Sequence, residues 1–410
     1  MGLDARELTP LLVSRSIVAV AQTRAFQKAE IVMADTAGQR VSAKTLQRVA
    51  QQVGCELAER RDCKGGNSLA RPPEDPPDLA VVECDGGRIR TREPGHGRGV
   101  HLNGKGWNET KNACLIRAQR KTFAEDPQPE PPECFADSAH VANIAETQAL
   151  SLASPRSGEA TIAEEENESQ PLSLPGDWRP KRLVRTVLSS MAPSDQFGQQ
   201  MSREAHCRRF DEAQAKAFLG DGLPWNWTIW KRHFHDFTPI LDFIHVLSYL
   251  FLAARAAHAS DQDAWDQYLA WMRGCWQGEI DQVLEELALW QTRLGEPPAE
   301  APDHDPREVI RKTLQYLRNN CSRMNYPAYR REGLPVTTAW MESLVKEINW
   351  RVKGTEMFWN NPAGAEAILQ IRAAALSEDD RLKRHLQSRP GSPFTRRPKA
   401  ASLQPNKIRS

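Results

Sequence analysis

The chain has 410 residues, 40% of them hydrophobic, and a formal net charge of +1, which is enough material for two or three globular domains and at least one sizeable core. Its one apolar N-terminal stretch, Leu11 to Ala21, is broken by Arg15 and too short to span a bilayer or to end as a signal peptide, so a membrane protein is excluded and a cytoplasmic one expected. The eight cysteines, Cys55, Cys63, Cys84, Cys114, Cys134, Cys207, Cys275 and Cys321, form no Cys-x-x-Cys pair, which argues against a zinc ribbon or a disulfide framework.

The near-neutral total hides an asymmetry. Between Lys121 and Trp178 there are 12 acidic residues against Lys121 and Arg156, a net of −10 that leaves +11 for the remainder. A basic remainder favours an anionic partner such as nucleic acid, with a merely solvated surface as the alternative. The first sixty residues read as helices. Ala25 to Ala37 ends at Gly38, and Ser42 caps a run in which Leu46, Val49, Ala50 and Val53 form the apolar stripe while Lys44, Gln47, Arg48 and Gln51 point away. Such a pair suits a helix-turn-helix unit, although from these residues alone an ordinary helical bundle with a polar face is the simpler reading.

After the prolines at 72, 73, 76 and 77 comes a buried strand, Leu79 to Cys84, expected to stop at Asp85-Gly86-Gly87. Arg88 to Arg92 and a strand from Trp107 to Arg120 then suggest an antiparallel meander, joined by a basic glycine-rich loop with Arg98 and Lys105. Within that loop Gly99 and Gly104-Lys105-Gly106 nearly spell a phosphate-binding P-loop, but Gly106 has no hydroxyl for magnesium and a strand follows where a helix is needed. Residues 123–177, poor in aromatics and rich in Pro, Ser and Glu, read as a largely disordered acidic insert.

Ala215 to Gly220 repeats the logic of the first strand, a short apolar run ending at Asp221-Gly222. Trp225, Trp227 and Trp230 read as core packing, with base stacking as the alternative. Pro239-Ile240-Leu241-Asp242 leads into a helix holding His245, and helical periodicity then runs through Trp265 to Arg293. A later helix, capped by Thr337 or Thr338, buries Met341, Leu344, Val345 and Ile348 and groups Glu342, Lys346, Asn349 and Lys353 on its polar side. The basic, Pro-rich stretch 384–410 reads as a disordered tail. Two aspartates at strand ends and a glutamate on a helix are what two-metal phosphodiester chemistry needs, because divalent ions want hard oxygen ligands from separate elements.

Taken in order, Asp85-Gly86-Gly87, Trp107-Asn108-Glu109-Thr110-Lys111, Gly220-Asp221-Gly222, Asp242-Phe243-Ile244-His245 and Gly333 to Ser343 resemble the DDE-type transposases of bacterial insertion sequences, in the broad Mutator-like group. The resemblance runs from about Leu79 to Leu382 and departs from the family pattern at Thr337-Thr338-Ala339-Trp340 and in the acidic insert. It implies an α/β (mixed α+β) fold: an RNase H-like catalytic domain in pieces 78–122, 178–258 and 326–383, interrupted by the insert 123–177 and an α-helical insertion 259–325, and preceded by an N-terminal helix-turn-helix-like DNA-binding region over 1–70.

By position, the resemblance makes Asp85, Asp221 and Glu342 the catalytic residues and the ligands of two Mg²⁺ or Mn²⁺ ions. The family's Cys-or-Asp, two residues, His signature falls on Asp242 and His245 as accessory residues, and Asp242 competes with Asp221 for the place of second acid. Lys44, Gln47, Arg48, Arg98, Lys105, Lys346, Arg351 and Lys353 are the expected DNA-binding side chains. The implied function is strand cleavage and 3′-hydroxyl strand transfer on double-stranded DNA, in the bacterial nucleoid, by a homodimer or larger assembly. The alternatives are a catalytically silent, transposase-derived DNA-binding protein and a structural or interaction protein.

Overall fold

Local signals set the first helices. The computed structural model describes residues 8–63, 73–91, 107–152, 178–352, 359 and 362–389, with the side chains of 107, 148–152 and 342 outside that description. Thr9 caps α1 (Pro10–Ala21), and α2 (Phe26–Ala37) ends at Gly38 with φ 60°, a left-handed conformation that glycine adopts without a Cβ penalty. Ser42 caps α3 (Ala43–Asp62) by accepting the Thr45 N–H, and Leu46, Val49, Ala50 and Val53 are buried as the periodicity predicts.

The chain continues through β1 (Leu79–Arg90), β2 (Trp107–Gln119), α4 (Ser138–Leu152), β3 (Lys181–Ser190), α5 (Ser194–Cys207), β4 (Ala215–Gly220), α6 (Pro224–His233), β5 (Thr238–Leu241) and α7 (Phe243–Ala257). A helical block follows, α8 (Asp261–Trp276), α9 (Ile280–Leu294), α10 (Pro306–Asn320) and α11 (Tyr326–Arg331), and then α12 (Ala339–Val352), α13 (Pro362–Leu376) and α14 (Arg381–Ser388). The strands form one mixed five-stranded sheet in the order β3-β2-β1-β4-β5, with β2 antiparallel to β1 and β3, β4 parallel to β1, and β5 parallel to β4.

Both faces of the sheet are covered, which is why β1 opens as a near-continuous apolar run rather than an alternating one. Leu79, Val81, Ile116, Ala217 and Leu219 face the larger core, shared with α3, α7, α12 and α13. Ala80, Val82, Leu115 and Phe218 face a smaller one, closed by Phe197 and Met201 of α5 and Ile229 of α6. Among the described residues no helix is long and apolar enough to cross a membrane.

Three expectations change. First, β1 does not stop at Asp85: it pairs with β2 without a break from Leu79 to Arg90, and what ends near Asp85 is its pairing with β4, at Cys84 opposite Gly220. Second, residues 123–152 are not disordered. Phe135 is fully buried against Phe243 and Trp276, α4 packs on α7 with Val141 and Ala145 buried, and Arg330 donates to Asp126 at 2.8 Å. One well-placed phenylalanine and a short apolar stripe outweigh the polar average of the segment; residues 153–177 lie outside the described residues. Third, 384–388 belong to α14, with His385 and Leu386 buried, while 390–410 lie outside the described residues.

The N-terminal helices are fastened to the sheet through α13. Glu366 accepts from Arg61 of α3 at 2.7 Å, from the Met191 N–H at 2.7 Å and from Ser190 at 3.0 Å, so one carboxylate joins three elements. Just before that junction α3 and α13 approach so closely that a Cβ on Gly54 would collide with the Ala367 carbonyl. Alanine is the better helix former by about 1 kcal/mol, but overpacking a rigid backbone contact costs about 1–3 kcal/mol, so the clash decides the sign. Gly54→Ala is expected to lower the urea midpoint, and an unchanged or higher midpoint would show that the two helices part freely.

Candidate active site

The parallel part of the sheet brings acidic residues into step. Cys84 pairs with Gly220 and Gly220 with Leu241, so the next residues, Asp85 within β1, Asp221 after β4 and Asp242 after β5, stand at the same level where the parallel pairing ends. The carboxyl ends of β4 and β5 are here, the side of a parallel sheet where α/β proteins characteristically bind ligands. Position 342 lies in the first turn of α12, whose Met341, Leu344 and Ile348 pack into the core that also covers this face of β1.

Each aspartate is held differently. Asp85 accepts the Gly86 N–H at 2.6 Å through Oδ1, and Gly87 keeps the strand passable, because a Cβ there would lie 2.7 Å from the Thr110 hydroxyl. Asp221 Oδ1 accepts the Leu223 N–H at 2.8 Å and the Asn226 amide. The Cys84 thiol donates to Asn226 Oδ1 at 3.3 Å, which leaves the Asn226 NH₂ for Asp221. Burial, then the charges of Asp221 and Asp85, push the Cys84 thiol well up, so it serves as a donor and not as a thiolate nucleophile. The Asp221 carbonyl accepts the Tyr316 hydroxyl at 2.7 Å, and Tyr316 stacks on Tyr249 with ring centroids 3.8 Å apart. Gly222, at φ 96°, is the residue Tyr316 presses against: a Cβ would lie 2.9 Å from its hydroxyl oxygen. The helical block thus reaches the site through α10.

Asp242 is fully buried and caps α7. Its Oδ2 accepts His245 Nδ1–H at 2.7 Å. Burial opposes a charge on His245, yet the bond to Asp242 and the fields of Asp242, Asp221 and Asp85 prevail and lift it to about 9. His245 is therefore an imidazolium at neutral pH. Its contribution is fully present below the ordinary value of 6.5 and is lost as pH climbs through about 9.

The remaining charge falls on the other two. Burial, and next the charge of Asp221, raise Asp85 to about 7. Burial also raises Asp221, against the pull of His245 and the Leu223 N–H. Two partly buried carboxylates, both raised toward protonation, offer hard oxygen donors to a divalent cation. Among the described residues no three His, Cys, Asp or Glu side chains are arranged to hold a metal ion, and the Glu342 side chain lies outside them.

The other expected residues divide. Lys44, Gln47 and Arg48 lie on the exposed face of α3, and Lys346 is exposed on α12. Arg98, Lys105 and Lys353 lie outside the described residues. Arg351 does not belong to a DNA-binding surface. It is 2% exposed and donates to the carbonyls of Val20 and Arg24 at 3.3 and 3.0 Å, and burial lowers it to about 10. Its guanidinium fastens α12 to the loop after α1. The three tryptophans are partly buried around the smaller core, with Arg323 4.3 Å from the Trp227 ring. Asn226, Tyr316 and Thr338 were missed as site residues; a residue two to five positions past an Asp-Gly turn was the one signal available, and it points to Asn226 alone.

The sequence matches no protein-family model and no curated protein. Among solved structures the chain is similar to the Drosophila P element transposase strand transfer complex, at a TM-score of 0.36 and 9% identity over 93% of this chain and 94% of that one. A likeness that low decides neither fold nor chemistry.

Because Asp85 is raised to about 7, the native state binds a proton that the unfolded chain has released at about pH 4, and metal-free stability falls as pH rises between these values. Asp85→Asn removes that slope. In urea titrations without divalent ions the variant is expected to be more stable than wild type at pH 8 and equal to it near pH 4; a wild type that is the more stable at pH 8 would show that the carboxylate is already neutralised by the protein.

Proposed function

We propose that this chain is a DDE-type DNA transposase whose five-stranded sheet is an RNase H-like catalytic core, with Asp85, Asp221 and Glu342 as the acids. The observation that carries the proposal is the placement of Asp85 and Asp221 side by side just past the end of the parallel pairing of β1 with β4, with the helix bearing position 342 packed over the same face. Asp221 is the second acid. Asp242 is consumed by its own hydrogen bonds, whereas those of Asp85 and Asp221 engage Oδ1 of each.

The residues present fit a divalent ion such as Mg²⁺ or Mn²⁺ by donor type: carboxylate oxygens, in a place where neighbouring aspartate charges raise both acids and positive charge would be favoured. Asp85, Asp221 and Glu342 would hold such ions, which would supply Lewis acidity for phosphodiester chemistry. Asn226 and the Leu223 N–H hold Asp221 in one orientation, and Tyr316 fixes its backbone. The imidazolium of His245 places a positive charge near both acids, where a phosphodiester would bring further negative charge. Lys44, Gln47 and Arg48 form the face we assign to double-stranded DNA, and Lys346 lies on the helix of the third acid.

The test is cleavage and strand transfer on DNA carrying the ends that flank the gene, with Mg²⁺ or Mn²⁺. Asp85→Asn, Asp221→Asn and Glu342→Gln are each expected to lower cleavage by more than the about 10–100-fold that losing a supporting partner costs, with end binding unchanged. Cleavage that persists in all three variants would end the assignment. Specific end binding by wild type with no cleavage under either ion would favour the silent DNA-binding descendant. Lys44→Ala and Arg48→Ala are expected to weaken end binding and each to reduce the slope of log affinity against log salt by about 1 if the residue contacts a phosphate.

A further inference from the structure

We infer that Thr338 and Asp242 form a buried latch that fixes the start of α12, making both positioning residues for the helix of the third acid. The role of that helix rests on the function proposed above; the latch itself rests on its hydrogen bonds.

Asp242 is fully buried and Thr338 is 5% exposed. Asp242 Oδ1 accepts the Ile244 N–H at 3.2 Å and the Thr338 N–H at 3.0 Å. Its Oδ2 accepts the Thr338 hydroxyl at 2.8 Å and His245 Nδ1–H at 2.7 Å. Four donors are about the capacity of one carboxylate, so Asp242 has no place left for a metal. The Thr338 hydroxyl is turned toward β5 and away from its own helix, while its carbonyl takes the Met341 N–H at 2.9 Å. Beside it the Phe243 N–H donates to the Val336 carbonyl at 3.0 Å, so the segment before α12 is bonded to the β5–α7 corner through backbone and side chain together.

The other end of α12 is held by Arg351 on the Val20 and Arg24 carbonyls. Between these anchors the helix lies on the sheet through Met341, Leu344 and Ile348, an apolar contact that by itself permits sliding and rotation. Thr338 lies one turn ahead of position 342, so the hydroxyl bond sets how far along the sheet that turn begins. Through Asp242, the same latch orients His245 beside Asp85 and Asp221.

The experiment compares full-length wild type, Thr338→Val, which keeps the shape and loses the donor, and Thr338→Ser, which keeps the donor. Thr338→Ala replaces the valine variant if the latter does not fold. The first readout is amide hydrogen exchange over 336–344 without metal or DNA. Thr338→Val is expected to lose protection there by about tenfold or more, the effect of removing one donor from a buried carboxylate, while Thr338→Ser stays within about threefold of wild type. The second readout is the Mg²⁺ concentration for half-maximal cleavage, expected to rise about tenfold in Thr338→Val with end binding unchanged, and to return with Thr338→Ser. Unchanged protection in the valine variant, or equal loss in the serine one, would overturn the latch. Lost protection with an unchanged Mg²⁺ requirement would overturn its link to the third acid. If wild type does not cleave, the proposed reaction fails while exchange still decides the latch.

Discussion

The rest of the site depends on one electrostatic constraint: three aspartates lie at the same level where the parallel pairing of β1, β4 and β5 ends, Asp242 fully buried and Asp85 and Asp221 partly so. Like charges so placed resist ionising in company, and each must be neutralised, hydrogen-bonded or left protonated. The protein resolves the three in different ways. Asp242 is saturated by Thr338, Ile244 and His245. Asp221 is oriented by Asn226 and by the Leu223 N–H, with the pull of His245 limiting its rise. Asp85 has the Gly86 N–H and is left raised to about 7. The gradient runs from a carboxylate saturated by hydrogen bonds to one helped only by the Gly86 N–H and the field of His245, and a cation-dependent reaction would use the latter end.

Elements distant in sequence converge to hold that gradient in place. Tyr316 comes from the helical block, Asn226 from the helix behind β4, and Thr338 from the segment before α12. The N-terminal helices join the same body through Arg61 and Glu366 and through the close crossing at Gly54. The exposed basic face of α3 is therefore attached to the sheet by packed helices. For an enzyme that grips DNA at one place and cuts it at another, such attachment would set the distance between the two. Behind β3 a second buried ionic group adds to it: Asp379 accepts from Thr186 and Arg381 at 2.9 Å, and Arg381 donates to Glu204 at 2.6 Å.

Much was legible from residues in a row, because caps, stripes and alternation depend on neighbours within a turn or two. Ser42 and Gly38 marked the ends of helices, and Leu46, Val49, Ala50 and Val53 marked a buried face. The apolar runs before Asp85, Asp221 and Asp242 announced strands, and Met341, Leu344 and Ile348 announced the inner side of α12. Local pattern misled where one long-range contact outweighs an average. Arg351 reads as a surface cation until the carbonyls of Val20 and Arg24 are brought to it, and 123–152 reads as disordered until Phe135 finds Phe243 and Trp276.

By itself the sequence determined that apolar runs lead into acids and that a helix with one polar face follows, because hydrophobic periodicity is a local property. It favoured Asp221 over Asp242 only by its Asp-Gly form, since both follow short apolar strands and both precede a helix. Only tertiary structure gave the two different surroundings, delivering the Thr338 hydroxyl and amide to Asp242 and leaving Asp221 beside Asp85. The reason is physical: the role of a buried carboxylate is set by the donors that reach it through space, and those donors come from segments whose separation along the chain carries no periodic signal.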